Sequence, residues 1–183
     1  MNANIICQQA AIYSLQLDHY QTLNQKLIEG FLQYRDKPDI KQTHFFHQRY
    51  ENIYLDEQHI AAIADIKKAA INSAASLLNK EANTLKAGLW FNAMEKNHIT
   101  TAHRHDDDDE LLSAVYYIQV PENSGDLEFT QQRCTTYLKP QAGMMAFFPP
   151  SLMHRVLENK SDELRLSLGI NIGPLYQQDD NFS

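Results

Sequence analysis

Phe147-Phe148-Pro149-Pro150-Ser151-Leu152-Met153-His154-Arg155-Val156 is the stretch on which the reading of this chain turns. Eleven residues after His154 comes Arg165-Leu166-Ser167-Leu168, across the polar turn Glu158-Asn159-Lys160-Ser161-Asp162-Glu163. Both flanking pieces read as β-strands. Side chains two apart on a strand share a face, so Arg165 and Ser167 point the same way. A histidine able to ligate a metal thus lies near an arginine and a hydroxyl able to clamp a carboxylate. Burying such groups together is costly unless something small and anionic binds between them. Upstream, His103-Arg104-His105-Asp106-Asp107 supplies the further donors that a metal site needs.

Working outward, the same texture runs back to Lys86. Short β-like runs fall at 88–94, 98–105, 111–120, 125–130, 134–138, 143–148, 153–158 and 163–172. Turn signals such as Pro121-Glu122-Asn123-Ser124-Gly125 and Pro140-Gln141-Ala142-Gly143 separate several of them. Many short strands at this spacing indicate a sandwich or roll.

Before Lys86 the period changes. Residues 4–17 alternate well enough for one or two strands. Asp18 is placed to cap a helix running to about Tyr34, with Leu23, Leu27, Ile28, Phe31 and Leu32 at helical spacing. Gly30 weakens its last turn by roughly 1 kcal/mol relative to Ala. Residues 43–55, aromatic and polar by turns, read as an extended segment or loop; Arg49-Tyr50-Glu51-Asn52 within it are candidates for a substrate mouth, with a packed aromatic loop carrying a surface ion pair the preferred reading. Asp56 is placed to cap a second helix over 57–79, whose stripe is Ile60, Ile63, Ile66, Ala70, Ala74, Leu77 and Leu78. No repeat or linker divides the chain. The expected fold is α+β, a single domain over 1–183. A double-stranded β-helix of the jelly-roll or cupin-like kind occupies 86–173, and two N-terminal helices from the support region 1–85 buttress one sheet.

Composition narrows the function. A formal charge of −7, with no cluster of Lys and Arg, argues against nucleic-acid binding, which needs basic side chains to neutralise phosphates. No apolar run reaches transmembrane length, so no membrane partner is expected. Met1 to Asn4 lack a basic region ahead of an apolar one, so no secretory leader is expected either. Two cysteines, Cys7 and Cys134, make neither a disulfide framework nor a thiolate metal site, and they read as buried small hydrophobes. A cytoplasmic location is the expectation.

Two donor sets can be drawn near His154. His105-Asp106-Asp107 spells H-x-D, while His103-Arg104-His105 spells H-x-H with Glu110 following. Two imidazoles with a carboxylate or a third imidazole suit iron, zinc, copper or nickel better than magnesium or calcium.

These residues resemble the iron(II)- and 2-oxoglutarate-dependent dioxygenases, most closely a small bacterial and phage group of oxygenases with His-x-His, Ser-Gly-x-Tyr-Tyr and Pro-Ser-x-x-x-His motifs. The matching stretches are His105-Asp106-Asp107, Ser113-Ala114-Val115-Tyr116-Tyr117-Ile118, Ser124-Gly125-Asp126-Leu127-Glu128-Phe129 and Phe148-Pro149-Pro150-Ser151-Leu152-Met153-His154. The likeness covers about residues 88–172. It departs at Ala114, where the group has Gly, and at Pro150, where it has Ser.

The resemblance implies the metal set His105, Asp107 and His154. The group's second ligand falls six residues before the Ser of its Ser-Gly-x-Tyr-Tyr motif, and here that position is Asp107. His103 is the alternate third ligand. Arg165 and Ser167 look like the superfamily's 2-oxoglutarate-binding pair, and Tyr117, sharing parity with Ser113 and Val115, is expected in the same cavity. The implied cofactors are Fe(II) and 2-oxoglutarate. The implied activity is hydroxylation of a small molecule or peptide with release of succinate and CO2, using no catalytic side chain beyond the metal ligands.

One alternative is a cupin-type metalloenzyme on His103, His105, Glu110 and His154, which has no need of a carboxylate clamp at Arg165 and Ser167. A non-catalytic metal-binding or sensor domain of the same fold is another. Apart from Asp107, the acidic run Asp106–Glu110 reads as a solvated loop, and Trp90 reads as core. Neither the substrate nor the oligomeric state is written in the sequence.

Overall fold

Twelve strands and two helices form among the residues that this computed structural model describes, 4–7, 11–105, 109–132 and 134–176. The strands are β1 (Asn4–Cys7), β2 (Ile12–Gln16), β3 (Gln42–Phe46), β4 (Arg49–Ile53), β5 (Leu85–Met94), β6 (Thr100–His103), β7 (Leu112–Gln119), β8 (Leu127–Gln131), β9 (Cys134–Leu138), β10 (Met144–Phe148), β11 (Met153–Val156) and β12 (Arg165–Pro174). The helices are α1 (Tyr20–Tyr34) and α2 (Ile63–Leu78). An eight-stranded antiparallel sheet runs in the order β1-β2-β10-β7-β12-β5-β4-β3, and a four-stranded one in the order β6-β11-β8-β9. This is the expected double-stranded β-helix, with eight strands from Leu85 onward. Among the described residues no helix is long and apolar enough to cross a membrane.

β12 organises the layers. It pairs with β5 along ten positions and with β7 on its other side. Its even-numbered residues Leu166, Leu168, Ile170 and Ile172 are buried in the core shared with Leu27 and Phe31 of α1 and Ile63, Ile66, Ala70 and Ala74 of α2. Strand alternation turns its odd-numbered residues to the opposite face, where Arg165, Ser167, Gly169 and Asn171 line the interior of the roll. β7 repeats the division. Ala114, Tyr116 and Ile118 join the helix-side core, while Ser113, Val115 and Tyr117 face inward. A second, smaller core between the sheets includes Ile12, Leu127, Phe129, Phe148 and Leu152. A buried polar link fixes α1 to β7: Tyr116 Oη donates to Asn24 Oδ1 (2.6 Å), and Asn24 Nδ2 donates to the Ile118 carbonyl (2.7 Å).

The N-terminal half departs from expectation at its boundaries. Asp18 does not cap α1. His19 holds that position in the left-handed conformation, with no side-chain hydrogen bond. Asp56 does cap, but it caps an isolated turn, accepting from the backbone N–H groups of Gln58 (3.0 Å) and His59 (3.3 Å), and α2 begins only at Ile63. That turn delivers Ile60 onto α1 at Gly30, where a Cβ would lie 2.6 Å from Ile60 Cγ1. Gly30 therefore sits inside the helix because the two elements approach closely there. Residues 43–55 form a hairpin, β3–β4, on the edge of the large sheet rather than a loop. Its two-residue turn, His47-Gln48, has positive φ at both positions (46° and 61°), as a tight hairpin turn requires. The Arg49–Glu51 pair is buried, with side chains 8 % and 10 % exposed, not on the surface. Cys134, expected to be buried, is exposed. The Cys7 side chain lies outside the described ones.

The polar turn before β12 has a buried centre. Asn159 has no exposed surface. Its Nδ2 donates to the carbonyls of Met94 (2.8 Å) and Glu163 (3.0 Å), and its Oδ1 accepts from the Ser161 N–H (2.9 Å). Its backbone bonds to His98 and Asn97. The turn that launches Arg165 is thus tied to the end of β5. Replacing Asn159 with Ala strands these backbone partners, and we expect a loss of about 2–4 kcal/mol of stability, read from denaturant unfolding at fixed pH.

Candidate metal and carboxylate site

Two strands of the small sheet and one turn bring three imidazoles together. His103, at the end of β6, is the cross-strand partner of His154 on β11. His105 follows just beyond β6, and its backbone N–H donates to the Pro150 carbonyl (2.8 Å). The Pro-Pro-Ser turn therefore does more than reverse the chain, since it holds the upstream histidine segment against β11. The ligand-capable nitrogens of His103, His105 and His154 all lie within 4.8 Å of one another. Ring centroids are 4.3 Å apart for His103–His154, 4.9 Å for His103–His105 and 5.3 Å for His105–His154.

Hydrogen bonding sets the tautomers. His154 Nδ1 lies 2.9 Å from the Leu152 carbonyl and His103 Nδ1 lies 2.8 Å from the Thr101 carbonyl. A carbonyl only accepts, so the proton of each ring sits on Nδ1 and the lone pair on Nε2. Burial, with the His103 and His105 rings adding to it, pushes the His154 imidazole down to about 3. His154 is thus a neutral donor at physiological pH. Such a set suits a divalent transition metal, and carbonyl anchoring of the far nitrogen is what orients ligating histidines.

Asp107, expected as the second ligand, lies outside the described residues. Glu110, the carboxylate of the four-ligand alternative, is not in the cluster. Its Oε1 instead accepts from Asn171 Nδ2 (3.0 Å).

Deeper in the roll sits Arg165, with no exposed surface. Nη1 donates to Met94 Sδ (3.2 Å), and the guanidinium carbon stands 5.4 Å from the Tyr117 ring centroid. Nε and Nη2 find no acceptor, and no carboxylate among the described residues forms an ion pair with Arg165. Burial pulls its pKa down, against the opposing influence of Tyr117 and Asp126. Tyr117, also fully buried, has its hydroxyl pushed up to about 12 by burial and carries no well-formed hydrogen bond. Ser167, 3 % exposed, pairs with Tyr117 across the strands and faces the same space. A buried, incompletely satisfied guanidinium beside hydroxyls is a receptor for a carboxylate, which it can grip with two parallel hydrogen bonds.

Arg165, Ser167, Tyr117 and the three histidines all line one narrow inner cavity of about 60 Å3. A larger outer cavity of about 410 Å3 shares Trp90, Asn92, Thr100, His103, His105 and Asn171 with it. Trp90, read from sequence as core, is therefore a wall of both. Glu51 and Asn52 of the β3–β4 hairpin, which the sequence reading set below a packed loop as a substrate mouth, line the outer cavity, as do Asn92 and Asn171, which it did not single out. Asn171 had one available signal, since it continues the parity of Arg165 and Ser167.

A sequence profile of the 2OG-Fe(II) oxygenase superfamily matches residues 89–173. No curated protein sequence matches the chain. Among solved structures, a prolyl-4-hydroxylase from Pseudomonas putida superposes with a TM-score of 0.66 at 18 % identity, covering 89 % of this chain and 93 % of that one. The non-heme alpha-ketoglutarate-dependent carbocyclase SnoK of nogalamycin biosynthesis gives 0.71 at 12 % identity, covering 96 % and 85 %. The epimerase SnoN of the same biosynthesis, solved with Fe3+, alpha-ketoglutarate and nogalamycin RO, gives 0.68 at 14 % identity, covering 91 % and 80 %. The shared fold is that of the double-stranded β-helix.

Two measurements follow from the imidazole cluster. In a Co(II) titration followed by visible absorption, His154→Ala and His103→Ala should each abolish binding while Asp107→Ala retains it. Loss with Asp107→Ala and retention with His103→Ala would instead put the carboxylate in the ligand set. The second concerns acid. An unfolded His takes its proton near 6.5, whereas folded His154 does so only near 3. Its contribution to stability is therefore complete above 6.5 and is lost as the pH falls through that window. Metal-free His154→Phe should lose less stability than the wild type between about pH 7 and pH 4, read as the difference in unfolding free energy.

Proposed function

We propose that this chain, whose residues 89–173 match the sequence profile of the 2OG-Fe(II) oxygenase superfamily, is a 2-oxoglutarate-dependent hydroxylase whose Fe(II) is held by His105, His154 and a third side chain. His103 is the favoured third ligand, because its Nε2 lone pair and its pairing with His154 are fixed by the fold. Asp107 is the alternative on sequence spacing. Arg165 binds the remote carboxylate of 2-oxoglutarate, Ser167 adds a hydroxyl donor, and Tyr117 closes the same pocket. The observation that carries the reading is Arg165: a fully buried guanidinium with two nitrogen atoms, Nε and Nη2, awaiting an acceptor.

When bound, Fe(II) and 2-oxoglutarate supply the oxidising chemistry, in which one atom of O2 enters succinate as CO2 is lost and the other enters a substrate C–H bond. The protein's own part is binding, orientation and exclusion of water. Arg165 sets the depth of the co-substrate, and the Met94 sulfur holds the guanidinium from its other edge. The Leu152 and Thr101 carbonyls keep the proton of each ring on Nδ1, so that both Nε2 atoms stay directed into the cluster. Phe148 packs edge-on against His154 at 4.7 Å and shields that ring from water. Trp90 stands 5.7 Å from His105 and forms the boundary with the outer cavity, where the substrate would enter.

A cupin-type reading needs Glu110 as a ligand and leaves the guanidinium of Arg165 without a purpose, so it is the weaker of the two.

Arg165→Ala should abolish 2-oxoglutarate binding while leaving Fe(II) binding intact, and Arg165→Lys should restore it only in part, because the bidentate fork is gone. The readout is the visible charge-transfer band of the Fe(II)–2-oxoglutarate chelate under anaerobic titration. Unchanged 2-oxoglutarate affinity in Arg165→Ala would remove the co-substrate assignment.

A further inference from the structure

The outer cavity has a chemical bias of its own. It is walled by the β3–β4 hairpin (His44, Glu51, Asn52), by Trp90 and Asn92 of β5, by Glu110 and by Asn171 of β12. Asn171 Nδ2 donates to Glu110 Oε1 at 3.0 Å, and because a carboxylate only accepts, this bond fixes which way the amide points. Asn171 Oδ1 and Glu110 Oε2 are then buried acceptors with no donor among the described residues, and Asn92 Oδ1 is a third. Ser113, only 1 % exposed and paired across β7–β12 with Asn171, has an unpartnered hydroxyl in the adjoining inner cavity. Glu51 adds a second carboxylate to the wall, held by Arg49 at 3.4 Å. Against these stands one formal cation, Arg104, which is exposed.

Trp90 supplies the remaining wall. At its cross-strand partner Gly169 a Cβ would lie 2.5 Å from the indole, so the ring lies directly against β12. That leaves an aromatic surface beside the acceptors. Arg165 and Asn171 share one face of β12 but are six residues apart, roughly 20 Å along an extended strand. The strand thus offers a cation at one end and acceptors at the other.

We propose that the outer cavity binds a small molecule carrying a primary alkylammonium group, seated on Glu110 and Asn171 beside Trp90. An ammonium has three donors and no acceptor, which complements a lining whose unpartnered atoms here are acceptors. Its bond to Glu110 is charge-assisted, and an aromatic face adds attraction for a cation. A neutral hydroxyl in its place brings a single donor. This assignment rests on the oxygenase reading above only in identifying the bound amine as the substrate.

Trp90 is the only tryptophan in the chain, so intrinsic fluorescence reports on this cavity. Putrescine, cadaverine, L-ornithine and L-lysine are titrated into protein loaded anaerobically with Fe(II) and 2-oxoglutarate. Their counterparts without the terminal ammonium are 1,4-butanediol and 1,5-pentanediol for the diamines, and L-norvaline and L-norleucine, which keep only the α-amino group, for the amino acids. At least one amine should bind about tenfold or more tightly than its counterpart, and Glu110→Gln, its fold checked by circular dichroism, should erase the preference. If no amine outbinds its counterpart, the proposal is overturned without any variant. It is equally overturned if folded Glu110→Gln binds amines as the wild type does. The chelate band separates the two readings. A band with no amine preference sinks this proposal alone. Amine preference without a band upholds it and sinks the oxygenase reading.

Discussion

Arg165 has no exposed surface, yet among the described residues its guanidinium has one well-formed hydrogen bond, to a methionine sulfur, and otherwise lies against the face of a tyrosine. Desolvating a cation costs several kcal/mol even after relaxation. The rest of the fold has to hold it in place regardless. β12 does so by pairing with β5 on one side and β7 on the other, so the Cα of Arg165 cannot shift without breaking ladders. The helix-side core of Leu166, Leu168, Ile170 and Ile172 pins the opposite face. Asn159 then ties the preceding turn to Met94, whose sulfur accepts from the guanidinium. The charge is held by the large sheet, the helix-side core behind it and the turn that precedes β12.

Short-range order in the sequence made much of this legible. Alternation gave the inward parity of Arg165, Ser167, Ser113, Val115 and Tyr117, and all five line the inner cavity. The helical stripes of α1 and α2 were largely readable because their apolar spacing is regular, although Leu32 of α1 is exposed and Ile60 precedes α2. What escaped was decided by contacts distant in sequence or by unusual turn chemistry. The β3–β4 hairpin was missed because its turn uses His47-Gln48, where Asn or Gly would have announced positive φ. The start of α2 was misplaced because Asp56 caps a turn whose length depends on Ile60 meeting Gly30. Trp90 looked like core because nothing local says that glycine stands opposite it on β12.

The imidazole cluster shows how motifs separated by about fifty positions become one site. His103 reaches His154 because β6 and β11 are neighbours in the small sheet, and His105 stays close because the Pro150 carbonyl takes its backbone N–H. The proline pair fixes the turn, and the turn presents that carbonyl. Sequence spacing alone could not weigh His103 against Asp107 on this basis, because the cross-strand register is a property of the folded sheet.

The walls of the outer cavity come from different material. Glu51, Asn52 and His44 belong to an edge hairpin, and His105 and Glu110 to connections, whereas Arg165 and Ser167 sit on the most constrained strand. A one-residue slip in β12 would exchange its polar and apolar faces and destroy the core along with the pocket. The same slip at the hairpin changes only an edge. Over evolutionary time, then, a lineage built on this scaffold is free to vary its periphery, while the pocket around Arg165 and Ser167 stays locked to the survival of the fold.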